Sequence, residues 1–245
     1  MQILIVNPNT TNSMTKKIEV AAKAIAHSST HIMVTNPSDG PVSIEGYYDE
    51  AFSVPGLLQE IIKGEDQNVA AHIIACFDDT GLEACRSIAH APVIGIGEAA
   101  FHYATFLAHK FSVVTTLSRS IAAIENNIMK YGLASRCASV RAAEIPVLAL
   151  EEASPEAIDQ ISEVIEHCIT HDRAEAIVLG CAGMTDLQRL LSKRHNFPIL
   201  DGVSCAVKMA ESFGALGYKT SKMSAYSRPY HKEYKGMFKD MSPQK

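Results

Sequence analysis

Short apolar runs alternate with longer segments of helical periodicity along most of the chain. Residues 1–6 form a run of the length and character of a buried parallel strand, halted by Asn7 and Pro8. A helical segment follows, with Ile18, Val20, Ala21, Ala24 and Ile25 as its expected apolar face and a Thr10 or Thr11 hydroxyl as its expected cap. Residues 31–36 read as a second strand. Residues 38–48, with two glycines and a proline, read as a loop. A helix over 49–63 comes next, with Phe52, Leu57, Leu58, Ile61 and Ile62 as its apolar positions.

The alternation continues with strands at 72–76 and 92–96 around a helix from about Gly81, then a helix over 98–109. Strand 111–116 leads to a helix over 118–131 closed by Gly132, and a less regular strand lies within 137–150. Ser154 and Pro155 open a helix reaching 171 as cap and first residue. A strand at 176–181 with its helix, a strand at 198–200 and a helix over 201–216 ended by Gly217 complete the series. Sustained strand–helix alternation predicts an α/β fold with parallel sheets.

Two segments repeat. HIIACFDDTGL (72–82) and AIVLGCAGMTDL (176–187) each end an apolar run at a cysteine, Cys76 and Cys181, with a leucine six residues later. A proline then opens another apolar run, at Pro92 and Pro198. The repeat predicts two pseudo-symmetric, doubly wound domains with a shared cleft. Their expected bounds are 1–97 plus 205–245, and 98–204. Ligands bind at the carboxyl ends of strands in such sheets, which would bring both cysteines to that cleft.

Composition narrows the class. The hydrophobic fraction of 47% and charged fraction of 20% over 245 residues suit a globular protein, and the net charge of −5 argues against a nucleic-acid partner. From Lys219 onward the sequence carries seven Lys/Arg against two Asp/Glu, a basic tail read as a solvated arm. No apolar run is long enough to span a membrane. The short first run lacks the form of a secretion signal, so a cytoplasmic protein with reduced thiols is expected. The six cysteines contain no C-x2-C pair, the ten histidines show no metal spacing, and no metal is expected. Asp78 and Asp79 could hold Mg2+, but adjacent carboxylates at a helix start are more commonly caps. GIGEAA (95–100) lacks the full G-x-G-x-x-G pattern and sits late in the chain, so it is not read as a dinucleotide loop.

A thiol between a strand end and a helix N-terminus is expected to have a lowered pKa. The N–H groups there can also hold an oxyanion. Two such thiols on opposite faces of a carbon acid suit removal of a proton from one face and its return to the other. The competing reading of any single cysteine is plain packing, because cysteine is among the most buried residue types. Asn7, Asn9, Thr10, Thr115 and Thr116 at strand ends are candidates to bind amide or carbonyl groups, with capping as their alternative. Ser43, Ile44 and Glu45 are placed to enclose a ligand. The other four cysteines lack the repeated frame and are read as structural.

With these residues in view, the chain resembles the aspartate/glutamate racemase superfamily, and within it the hydantoin racemase and allantoin racemase branch. The resemblance is carried by VNPNT (6–10), SIEGYYDEA (43–51), IIACFDDTGL (73–82), PVIGIGEAA (92–100), FSVVTTLSR (111–119), PVLALEE (146–152), AIVLGCAGM (176–184) and DGVSCAVKMAE (201–211). It implies cofactor-independent racemisation at C5 of a hydantoin ring, with Cys76 and Cys181 as the catalytic pair. It further implies Asn9, Ser43, Phe77, Asp78, Thr115, Gly183 and Met184 as ligand-enclosing positions. A small-molecule substrate and a homo-oligomer are expected.

The amino-acid racemases of the superfamily tend to carry Asn-Thr after the first cysteine and Thr-His after the second. Phe77-Asp78 and Ala182-Gly183 stand there instead, which points away from aspartate or glutamate as substrate. Three alternatives stay open: an allantoin racemase specifically, a single-cysteine decarboxylase or isomerase of the same superfamily, and a non-catalytic small-molecule binding protein.

Overall fold

The computed structural model describes residues 1–243; the last two residues of the basic tail, and of the expected first domain, lie outside the described residues. Four strands, β1 (Gln2–Val6), β2 (His31–Thr35), β3 (Ala71–Ile74) and β4 (Val93–Gly95), form one parallel sheet in the order β2-β1-β3-β4. Strands β5 (Phe111–Thr115), β6 (Cys137–Ala142), β7 (Ala176–Gly180) and β8 (Ile199–Asp201) form a second parallel sheet in the equivalent order β6-β5-β7-β8. The same permutation in both halves is the structural form of the sequence repeat. In each, the chain leaves the first strand toward one edge and returns to its other side, so a crevice opens above the carboxyl ends of β1 and β3, and of β5 and β7.

The helices are α1 (Asn12–Ile25), α2 (Tyr47–Asp66), α3 (Leu82–Ile88), α4 (Ile96–Leu107), α5 (Ile121–Lys130), α6 (Pro155–Thr170), α7 (Gln188–His195) and α8 (Gly202–Leu216). Strand side chains alternate between two cores, as a period of two requires. Ile3 and Ile5 face a central core, and Leu4 and Val6 an outer one with Leu57 and Ile61 of α2. Val113 and Val178 likewise face the centre, while Val114, Ile177 and Leu179 meet Ile161 and Ile165 of α6. The central core is continuous across both halves. It takes Ala99, Ala100, Phe101 and Ala104 from α4 and Val203, Ala206, Val207 and Ala210 from α8. α4 follows the first sheet yet packs on β7, and α8 follows the second sheet yet packs on α1 and β3.

Several local expectations change. The buried face of α1 is Met14, Thr15, Ile18 and Ala22, whereas Val20 is 70% exposed and Ala24 is exposed, because α1 buries the stripe that meets the central core. Phe52 and Ile62 of α2 are exposed for the same reason, since Leu57 and Ile61, with Leu58 partly buried beside them, form the stripe that meets the sheet. Thr10 and Thr11 do not cap α1. Their hydroxyls donate to the carbonyls of Pro41 (3.2 Å) and Val42 (2.6 Å) and fasten the 38–46 loop beside β1. The Ser154 cap does form, accepting from the Ala157 N–H at 3.2 Å. Residues 147–150 make a 3₁₀ turn rather than extended strand. The basic tail is partly docked: Thr220 N–H donates to His90 O and Lys222 Nζ to Arg86 O. Among the described residues no helix is long and apolar enough to cross a membrane.

Phe101 is the largest side chain of the central core with no exposed surface, in edge contact with Phe77 (5.3 Å) and stacked on Phe111 (5.7 Å). Phe101→Ala is expected to lower unfolding stability by about 3–5 kcal/mol, through lost burial and the cavity left behind. Denaturant titration followed by far-UV circular dichroism measures it.

Candidate active site

Each sheet ends its two central strands in polar residues. Asn7 and Asn9 follow β1, Cys76 follows β3, Thr115 and Thr116 end β5, and Cys181 follows β7. All of these residues line one cavity of about 40 Å³, with Phe77, Asp78, Ser120, Gly180 and Ala182. That is room for roughly three waters, which suits a small solute. A larger open groove of about 630 Å³ lies between α1, α7 and α8, where Lys17 and Asp186 pair with each other at 3.1 Å. Cys76 and Cys181 both line the smaller cavity.

The wall is held from below. The Asn7 amide nitrogen donates to Asn9 Oδ1 (2.8 Å) and Thr15 Oγ1 (3.0 Å), and the Thr11 N–H also donates to Asn9 Oδ1 (2.9 Å). Asn9 Nδ2 meets only the Met14 sulfur at 3.2 Å, a weak acceptor that a ligand carbonyl can displace. The Thr115 hydroxyl donates to Gly180 O at 3.1 Å and pins β5 to the end of β7 just before Cys181. A side chain at Gly180 would crowd Thr115, whose Cα lies 3.0 Å from the position of an added Cβ. Thr116 and Ser120, both buried, add hydroxyl groups to the wall. The roof is Ile44 and Val147, and the Glu45 carboxylate joins them by accepting from the Val147 N–H at 2.9 Å.

The predicted positions therefore divide. Asn9, Cys76, Phe77, Asp78, Thr115, Thr116 and Cys181 converge on the cavity. Ser43, Gly183 and Met184 are not in its lining: Ile44 takes the place of Ser43, and Ala182 that of Gly183. Gly183 instead supports the thiol, donating its N–H to Cys181 Sγ at 3.3 Å, and Met184 packs wholly buried beneath. Ser120 and Val147 were not anticipated. Ser120 follows the polar end of the 111–116 strand, a position of the kind that identified Asn9. Val147 carries no sequence signal for the site.

The two cysteines are not alike. Cys181 opens directly into a 3₁₀ turn (Ala182–Leu187). Cys76 is separated from α3 by the turn 77–81, in which Asp79 and Gly81 take left-handed φ values of 50° and 71°. Only Cys181 thus stands at a helical start. The expectation of lowered thiol pKa values is also corrected, because burial outweighs the local donors. Burial pushes Cys181 up to about 11, opposed by the Gly183 N–H and reinforced by Asp78. Burial and the nearby Asp78 push Cys76 up as well, opposed by the Thr80 hydroxyl at 3.4 Å. No lysine, arginine or histidine lines the cavity among the described residues. Burial, with Glu50 and Asp79 adding repulsion, raises the Asp78 carboxyl to about 7.

Asp79 does not cap its own helix. Its carboxylate accepts from the N–H groups of Gly97 (3.0 Å) and Glu98 (2.8 Å) at the start of α4, and from the Tyr131 hydroxyl (2.8 Å). GIGEAA is the seat of that carboxylate. A Cβ at Gly95 would fall 2.1 Å from Asp79 Oδ1, and one at Gly97 would fall 2.5 Å from Phe77 O. Among the described residues, no group of three or more His, Cys, Asp or Glu side chains could hold a metal ion.

Comparison with known proteins matches residues 3–210 to the Asp/Glu/hydantoin racemase family model. The chain is 49% identical to a hydantoin racemase of Rhizobium meliloti over 94% of its own length and 95% of the relative's. It superposes on an allantoin racemase from Klebsiella pneumoniae with a TM-score of 0.96 at 43% identity, over all of both chains. A glutamate racemase from Francisella tularensis shares the fold, with a TM-score of 0.65 at 19% identity over 88% of this chain and 81% of that one. The continuous match in sequence and the matching duplicated sheets lead to one conclusion: the chain belongs to the Asp/Glu/hydantoin racemase family and is a racemase.

Proposed function

We propose that this racemase interconverts the enantiomers of 5-substituted hydantoins, allantoin included in that class, by moving a proton at C5 between Cys76 and Cys181 without a cofactor. The observation that carries the reading is the pair of thiols from equivalent frames lining one small cavity. The ring class is supported by the electrostatics. Among the described residues no cationic side chain lines the cavity for an α-carboxylate, while the Asp78 carboxyl can meet a ring N–H and Asn9 Nδ2 and the Thr116 and Ser120 hydroxyls can meet carbonyls. Likeness to relatives named for hydantoin and allantoin racemisation points the same way.

In this reading one cysteine acts as thiolate and takes the C5 proton. The adjacent carbonyl carries the charge as an enolate, held by the amide and hydroxyl donors. The second cysteine, a thiol, delivers its proton to the opposite face. The thiolate has then changed sides, and proton exchange with solvent restores either form. Only a proton is redistributed, so the reaction requires no redox group. The Gly183 N–H favours the anionic sulfur at Cys181, and the Thr80 hydroxyl and Asp78 N–H favour it at Cys76.

Cys76→Ser and Cys181→Ser are each expected to lower racemisation by roughly 10²–10⁴-fold, the usual contribution of a positioned acid or base. Each variant should retain C5 deuterium uptake from D2O with one enantiomer, and with opposite hands. Polarimetry with NMR of C5 decides it: full racemisation by either variant would sink the two-base assignment, and failure of the unmodified protein across a hydantoin panel and allantoin would sink the substrate class.

The pH dependence follows from the raised thiols. A thiol whose pKa lies above the ordinary 9.0 is protonated at neutral pH, so the thiolate fraction grows as pH rises. A two-thiol reaction needs one of each form, which makes the profile a bell between two macroscopic pKa values. kcat/KM should therefore climb from pH 7 and reach its maximum on the alkaline side of 9. An optimum near neutrality, in a pH series of initial rates, would mean that the free enzyme holds a low-pKa thiolate.

A further inference from the structure

We propose that Asp79 is a positioning residue that sets the place of Cys76 by clamping the turn after it onto the scaffold that carries Cys181. For the reaction itself this rests on the two-thiol reading above; the clamp stands on geometry alone.

The turn from Cys76 to Leu82 has little regular structure to hold it. The Asp79 N–H donates to Cys76 O at 3.1 Å and the Leu82 N–H to Asp79 O at 3.1 Å, while Asp79 itself sits at a φ that residues other than glycine seldom adopt. What holds Asp79 there is its side chain. Both carboxylate oxygens are engaged by three donors, two of them the free N–H groups of the α4 N-terminus. The neighbouring residues are fastened to the same elements. The Phe77 ring lies edge-on to Phe101 of α4, and Asn127 Nδ2 of α5 donates to Asp78 O at 2.7 Å. Three successive residues after Cys76 are thus tied to α4 and α5. α4 packs on β7, the strand that ends at Cys181. The Asp79 carboxylate is therefore one of three ties between the turn after Cys76 and the scaffold of Cys181, and the one made by three hydrogen bonds.

Asp79 does not line the cavity, and its oxygens are already bonded, so it does not touch a substrate as acid or base. Burial raises the Asp79 carboxyl to about 7, opposed by its three donors, and the ionised form is the one that accepts from all of them. An amide in its place would turn an NH2 group toward either the Gly97 N–H or the Glu98 N–H and Tyr131 hydroxyl, donor against donor. Glycine at 95 and 97 makes the room the carboxylate occupies, since an added Cβ would fall 2.1 Å from Oδ1 at Gly95 and 2.9 Å from Oδ2 at Gly97.

The test compares the full-length protein with Asp79→Asn and Tyr131→Phe, the latter removing one donor and leaving two. The first readout is iodoacetamide alkylation of Cys76 and Cys181, followed peptide by peptide by mass spectrometry. In Asp79→Asn the Cys76 rate should rise relative to Cys181 by roughly tenfold, the scale set by losing a buried hydrogen bond to a charged group. Tyr131→Phe should shift the ratio in the same direction by less. The second readout is C5 exchange in D2O: Asp79→Asn should slow most the enantiomer whose exchange Cys76→Ser abolishes. An unchanged alkylation ratio in both variants, or equal acceleration of both thiols, overturns the proposal. If Asp79→Asn does not fold, the Tyr131→Phe ratio decides. If the unmodified protein exchanges no hydantoin proton, the substrate reading is lost while the alkylation ratio still judges the clamp.

Discussion

The apolar core shared by the two sheets is the constraint from which the rest of the structure follows. Parallel strands bury both faces, so β1, β3, β5 and β7 are mostly apolar, and His72 and Ser112 within them are hydrogen-bonded to Glu65 and Ser139. The polar groups of the cavity collect where those strands end. α4 and α8 each cross from their own half to pack against the other, which makes one continuous interior of the two halves. With the sheets joined in this way, four strand ends contribute to one cavity. The site is a consequence of how the halves are welded.

That placement has an electrostatic consequence. A cavity built at the meeting of two buried sheets is poorly hydrated, and a thiolate there lacks the stabilisation of water. Burial dominates the protonation of both cysteines, and the lone carboxyl of the wall, Asp78, adds to it. The proposed substrate class rests on this: among the described residues the walls offer N–H, hydroxyl and carboxyl groups and no cationic side chain. The Gly183 N–H is directed at Cys181 Sγ, and the Thr80 hydroxyl and Asp78 N–H favour the charged form of Cys76.

The repeat made much of this readable. Cys76 and Cys181 stood out because each ended an apolar run and was followed by a leucine six residues on and by a proline 16 or 17 residues on. Strand-end polarity identified Asn9, Thr115 and Thr116 by the same reasoning. Helix faces were less legible. The stripe of α1 turned out to be Met14, Ile18 and Ala22, because an Ala-rich helix offers several apolar stripes and only the partner surface chooses among them. The threonines after Asn9 read as caps but serve as ties to the 38–46 loop, since a hydroxyl bonds whichever acceptor the fold brings near.

The sequence by itself determined the α/β alternation, the duplication and the two cysteine frames, because these depend on apolar periodicity and local spacing. The tertiary structure alone decided what the residues around the cysteines do. Asp79 could not be assigned to the start of α4 from spacing, because its partners are 18, 19 and 52 residues away. The glycines of GIGEAA have no visible purpose until that carboxylate is seated among them. The state of the thiols belongs to the same class, since a strand end before a helix promises a lowered pKa and only the depth of burial reverses it. Long-range packing sets distances and dielectric, and neither is written in any short stretch of the chain.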